Sequence, residues 1–168
     1  MADVNFCVVI AGFAEVRADD YLGVGALSTF NLFIGPQVQA GQEIVIPADL
    51  DVAHGWTYTG DVARTLVAVA RSERSWGRAW HTPQTSDLSV REMVTRFATV
   101  AGRTRPAVRE MTPLELHTAM ADPVMVELAE MQYLFYRENV LDWSRTAAEL
   151  DLKPTPLDDV LQELAAAA

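Results

Sequence analysis

The sequence holds a single cysteine, Cys7, in 168 residues. That excludes an intrachain disulfide and any metal site built on two thiolates. Lysine is as scarce: Lys153, beside Pro154, stands alone. No Tyr-x-x-x-Lys pair can therefore form, in which the lysine would lower a tyrosine's pKa for proton transfer. A Walker-type phosphate loop and a G-x-S-x-G nucleophile elbow are also missing. The three histidines, His54, His81 and His117, are scattered without ligand spacing, so no metal site is expected. Positive charge is short as well, with 13 Lys and Arg against 23 Asp and Glu, a net charge of −10. Such a surface cannot neutralise nucleic-acid phosphates, and it disfavours anionic membranes. Long apolar runs are absent, the run from Phe6 to Phe13 falling far short of a membrane span. With Asp3 and no cation before it, that run does not read as a signal peptide. These absences predict a cytoplasmic protein of a reducing compartment.

What is present is a globular composition, half hydrophobic and 21% charged, at a length that fits one domain over residues 1–168. The stretch from Trp56 to Ala70 organises the rest. Trp56 to Thr59 is aromatic and β-branched, which favours a strand. Gly60-Asp61 breaks it, and Asp61 is expected to cap a helix from Val62 to Arg71. Val62, Leu66 and Val69 then form the buried stripe, with Ala63 and Ala70 on its flanks. The unit reads either as an ordinary capped helix in a core or as a βα switch carrying a polar site.

Elsewhere, strands are expected at Phe6–Ile10, Ala14–Arg17, Glu43–Ile46, Arg78–Thr82 and Ala107–Met111. Arg17 to Gly25 reads as a loop by its Gly and Asp content. Ser28 can cap a helix to Ala40 that Gly35-Pro36 interrupts. Ser89 with Glu92, and Thr112-Pro113 with Glu115, have the form of capping boxes. From Thr112 the pattern is helical. Met125, Leu128, Met131, Leu134 and Phe135 form a stripe expected to fill core, and Ser144 and Thr155-Pro156 open two closing helices. Gly23-Val-Gly25-Ala-Leu-Ser28 has the G-x-G-x-x-S form, but no buried strand leads into it, so it reads as a glycine loop and not a pyrophosphate cradle.

Taken in order, Arg17-Ala-Asp-Asp-Tyr21-Leu-Gly-Val-Gly25 and Trp56-Thr-Tyr-Thr-Gly-Asp61-Val-Ala-Arg64 resemble two runs of the extended short-chain dehydrogenase/reductases, the NAD-dependent epimerase/dehydratase proteins. There they look like R-x-x-D-Y-x-G-P-G and F-x-Y-V-x-D-V-A-x-A. Gly77 to Pro83 is similar to that family's late sheet strand, and Leu88 to Met93 to its T-x-x-E-x helix. Asp142-Trp-Ser144 and Pro154 to Asp159 are similar to its closing helices. The resemblance runs from Glu15 to Leu164 and matches the family's second half, with residues 1–14 a divergent first strand. Gly23-Val-Gly25 lacks the proline usual in that loop. The first-half motifs are missing: G-x-x-G-x-x-G, the ribose-binding acid and Tyr-x-x-x-Lys.

This resemblance implies an α/β chain with an incomplete Rossmann-type extended fold, its C-terminal strands joined to a mainly helical substrate-binding lobe. It implies a truncated or split NAD(P)-dependent oxidoreductase homologue, inactive alone, or a non-catalytic ligand-binding or interaction module derived from one. Substrate contacts are implied for Arg17, Asp20, Tyr21, His54, Trp56 and Arg64, a structural role for Asp61, and no catalytic residue. NAD or NADP enters only by the resemblance, with an incomplete site. Arg17 is expected to pair with Asp61. Strands at Val8–Ile10 and Arg78–Thr82, lacking parallel neighbours, imply a homodimer or a partner carrying the Rossmann half.

Overall fold

The computed structural model describes residues 13–129 and 131–167. The expected strand at Phe6–Ile10, with Cys7, lies outside them. Among the described residues six short strands form three parallel pairs. Strand β1 (Glu15–Arg17) pairs with β5 (Ala79–His81), β2 (Asp20–Leu22) with β4 (Trp56–Tyr58), and β3 (Ile44–Ile46) with β6 (Val108–Glu110). Parallel pairing needs a crossover, and helices supply each one. The Arg78–Thr82 run thus has a parallel neighbour, contrary to expectation. Strand β2 falls inside the predicted loop, because pairing Asp20 to Trp56 and Leu22 to Tyr58 outweighs the weak strand propensity of Asp.

Helix α1 (Gly35–Ala40) continues directly from a wide π-type turn at Phe30–Ile34, and the Ser28 hydroxyl accepts the Asn31 amide at 3.3 Å. Pro36 brings no amide hydrogen, and the wide turn just before it absorbs the missing i→i−4 bond instead of ending the helix. Gly41 closes α1 at φ 64°, where the Gln42 amide donates back to Gln37 O at 2.9 Å. Helix α3 (Val90–Val100) starts on the predicted box: the Ser89 hydroxyl accepts the Glu92 amide, and the Glu92 carboxylate accepts the Ser89 amide. Helix α4 (Pro113–Ala119) repeats it with Thr112 and Glu115.

The core lies among α1, α3 and α7 (Leu157–Ala166). Phe30 meets Phe97 edge-on at 4.9 Å, and Val38, Met93, Val94, Val160 and Leu161 fill in around them, all at most 1% exposed. Burying each such side chain is worth about 1.5–3 kcal/mol. Four expectations fail here. Helix α2 spans Thr59–Arg71, so Asp61 sits inside its first turn and caps nothing. Its buried stripe is Asp61, Thr65 and Val69, whereas Leu66 is 38% exposed. The methionine stripe is cut, because α5 (Pro123–Ala129) ends before a tight turn at Gln132–Phe135. That leaves Met131 exposed and Phe135 against the core, and the Leu128 side chain lies outside the described residues. Helix α6 (Ser144–Leu150) is started by Asp142, whose carboxylate accepts the Ser144 amide at 2.9 Å. No helix among the described residues is long and apolar enough to cross a membrane.

Candidate functional site

Parallel α/β sheets bind ligands beyond the carboxyl ends of their strands. At the end of β2 the chain turns through Gly23 and Gly25, the latter at φ 75°, a conformation that favours glycine. This loop is staked from below. The Asn31 amide donates to Gly23 O at 2.9 Å and to Ala26 O at 2.7 Å, while Asp20 Oδ1 accepts the amides of Tyr21 (3.0 Å) and Thr29 (3.3 Å).

The register that sets Asp20 opposite Trp56 brings His54 to the same place. The His54 ring stacks on Phe135 at 4.9 Å and meets Trp56 edge-on at 4.7 Å. Its Nε2 lies 3.5 Å from Asp20 Oδ2. Neither atom has a hydrogen-bond partner among the described residues, and both are buried. A separation of 3.5 Å is beyond a good hydrogen bond, so the packing around the two side chains sets their approach. Trp56 is fully buried, and its indole donates to Leu88 O at 2.6 Å.

Asp19, next along β2's approach, faces the same seam. Burial pushes its carboxyl pKa up, against the hydrogen bonds from the Gln84 amide and the Leu141 backbone and the pull of His54 and His81. Gly55 is required beside it, because a Cβ there would overlap the Asp19 carboxylate and the Gln84 amide. His81 donates from Nδ1 to Asp142 O at 2.7 Å, which fixes its tautomer.

A second cluster joins α2 to the C-terminal segment. The Asp61 carboxylate, 1% exposed, accepts the Thr155 amide at 2.7 Å, the Thr155 hydroxyl at 2.8 Å and the Arg64 guanidinium. Arg64 also donates to Thr155 Oγ1 at 3.0 Å and Lys153 O at 3.3 Å. Beside it the Tyr58 hydroxyl donates to Glu163 at 2.7 Å, and that carboxylate raises the phenol's pKa.

The structure therefore brings Asp20, His54 and Trp56 together, with Tyr21 next to them and 39% exposed. Arg64 belongs to the other cluster with Asp61. Arg17 sits on β1 and pairs with Glu15 at 2.7 Å, so the expected Arg17–Asp61 pair gives way to two separate ones. Of the six candidate contacts, Tyr21, Arg17 and Arg64 reach solvent, whereas His54 and Trp56 brace from inside. Asp19, Gln84, Phe135 and Thr155 had not been singled out as site residues, Phe135 being read as core and Thr155 as a helix start. For Asp19 the signal available in the sequence was its place beside Asp20. Among the described residues no cluster of His, Cys, Asp or Glu could hold a metal ion.

The seam does not fit a dinucleotide pyrophosphate. The amides of Tyr21 and Thr29 are occupied by the Asp20 carboxylate, and an anion at those amides would meet like charge.

No family model and no curated protein matches the chain. Solved structures do. The human epimerase family protein SDR39U1, solved with NADPH, superposes at a TM-score of 0.65 with 19% identity, covering 90% of this chain and 47% of that one. UDP-glucuronic acid 4-epimerase from Bacillus cereus, solved with UDP-glucuronic acid and NAD, gives 0.61 and 15%, covering 90% and 43%. A nucleoside-diphosphate-sugar epimerase from Staphylococcus aureus gives 0.64 and 17%, covering 88% and 50%. The fold is thus that of part of the extended dehydrogenase/reductase structures, and the chain spans half their length or less.

Proposed function

We propose, from a fold shared with part of these epimerase structures, that the chain is the substrate-side portion of an NAD(P)-dependent epimerase/dehydratase-type oxidoreductase. It contributes a small-molecule binding lobe and needs a nucleotide-binding portion for activity. The observation that carries this reading is the joint one: a match over nine-tenths of this chain, to half or less of the solved ones. The missing chemistry agrees with it, since the sequence has neither a G-x-x-G-x-x-G turn nor a Tyr-x-x-x-Lys pair.

In this reading the ligand sits beyond β2 and β4. Tyr21 and the staked Gly23–Ala26 loop face it, with Arg17 and Arg64, each held in an ion pair, as further candidate contacts. Asp20, His54 and Trp56 hold Tyr21 and the loop in place from beneath. Bound nicotinamide nucleotide would supply the hydride chemistry, from residues this chain does not contain. A second reading, a non-catalytic ligand-binding or interaction module, is favoured by the burial of His54 and Trp56, which keeps both from a substrate.

Chromatographic product analysis, which registers redox-neutral turnover that nicotinamide absorbance would miss, separates them from a self-sufficient enzyme. The purified chain, given NAD or NADP and UDP-glucuronic acid, is expected to convert none of the sugar nucleotide. Sustained turnover by the chain alone would overturn the proposal.

A further inference from the structure

Among the described residues, strand β1 is paired along one edge only. In its ladder with β5 the Glu15 amide donates to Arg78 O at 3.0 Å, and the Thr82 amide donates to Arg17 O at 2.8 Å. Glu15 and Arg17 thus turn their backbone groups toward β5, and Val16 between them turns its amide and carbonyl the other way. Neither group of Val16 has a hydrogen-bond partner among the described residues. Two strands alone are marginal, and such an edge is a template for another strand. The side chains along it carry a pattern. Ala14-Glu15-Val16-Arg17-Ala18 reads the same in both directions except that the charge reverses about Val16. Glu15 and Arg17 stand on one face of the strand, where they pair at 2.7 Å and reach solvent.

We propose that β1 pairs antiparallel with β1 of a second copy, about a two-fold axis at Val16, joining two β5–β1 pairs into one four-stranded sheet. The two Val16 residues then exchange both backbone hydrogen bonds, using the groups that β5 leaves over. Glu15 of each copy falls directly opposite Arg17 of the other, at the close positions where Cα atoms lie about 4.5 Å apart. Within one strand the two Cα atoms are about 6.6 Å apart, two rises along the strand, so the cross-strand partner is the nearer one. A parallel register would set Glu15 beside Glu15 and Arg17 beside Arg17, so charge selects the antiparallel one. Such a contact is the same patch on both copies and closes at two. The inference rests on β1 and β5 alone and stands whether or not the substrate-lobe reading holds.

Sedimentation velocity of the full chain from about 5 μM to about 500 μM is expected to move from monomer toward dimer, as mass action requires of a small interface. Glu15→Arg alone and Arg17→Glu alone each set like charges across the axis. Each is expected to raise the dimer Kd about tenfold or more at low salt. Mixing the two variants places every arginine of one copy opposite a glutamate of the other. The mixture is expected to associate within about threefold of the original Kd. Loss of the ion pair inside one strand cannot produce that rescue, because neither variant has it. A monomer at about 500 μM, a dimer indifferent to both single substitutions, or a mixture no tighter than the single variants would overturn the proposal.

Discussion

Replacing Asp61 by alanine removes one acceptor group that ties α2 to the C-terminal segment, and the structure sets the size of the loss. The carboxylate is 1% exposed and takes the Thr155 amide at 2.7 Å, the Thr155 hydroxyl at 2.8 Å and the Arg64 guanidinium. Each hydrogen bond to a charged group is worth about 1.5–3 kcal/mol, but the three share one carboxylate and do not add in full. Arg64 is half-exposed, so water recovers part of its solvation. The Thr155 amide and hydroxyl lose their acceptor where water reaches them poorly. The expected loss is therefore about 2–4 kcal/mol, that of leaving two part-buried donors without their acceptor. Against a typical total of about 5–15 kcal/mol, this brings the domain close to unfolding. Asp61→Asn, which keeps one oxygen for Thr155 and drops the charge, is expected to lose about half as much. Urea titration followed by circular dichroism measures both, with an unchanged m-value showing that the denatured state is the same. A double-mutant cycle with Thr155→Val isolates the pair, and a coupling of about 1 kcal/mol or more is expected. A loss below about 1 kcal/mol in Asp61→Ala would refute the reasoning.

Burial raises the Asp19 pKa, so the folded state binds more protons than the unfolded one just above the ordinary aspartate value. Stability should therefore fall as pH rises through that window, and Asp19→Asn should flatten this limb of the urea-midpoint profile. A steeper limb in the variant would contradict it. Glu115 behaves oppositely: Arg109, then the Thr112 cap, holds its pKa down to about 2, so its contribution is full above the ordinary glutamate range and is lost as pH falls towards 2. Glu115→Gln should remove that acid-side loss, read as a Tm that changes less between neutral pH and pH 3. Gly55→Ala pushes a methyl into the Asp19–Gln84 contact and should cost about 1–3 kcal/mol in thermal melts, whereas a neutral outcome would mean the seam is loose.

What could be read from the sequence divides by range. The Ser89–Glu92 and Thr112–Glu115 boxes are local devices spanning four residues, and both formed where expected. Asp61 was misjudged because an aspartate before an apolar run looks like a cap. The helix instead starts at Thr59, and the carboxylate reaches Thr155, 94 residues away. For the same reason the buried stripe of α2 is largely polar, which hydrophobic spacing cannot reveal. Strand β2 exists only through its pairing with β4, so its own residues argue for a loop. In the candidate site, Trp56 opens the quoted run Trp56–Arg64 and His54 lies just before it, and both are buried. Gln84 and Phe135 join that seam from distant segments and carry no local mark.

Calorimetric titration of the purified chain with NAD and with NADP tests most directly the claim that this is a substrate-side portion without its own nucleotide site. Asp20 occupies the amides of Tyr21 and Thr29 beside the Gly23–Gly25 loop, and the sequence has no G-x-x-G-x-x-G run. The account predicts no saturable heat with either nucleotide up to about 1 mM, a binding free energy weaker than about −4 kcal/mol. Saturable binding at about 1 μM by the chain alone, lost on replacing Gly23 or Gly25, would contradict it.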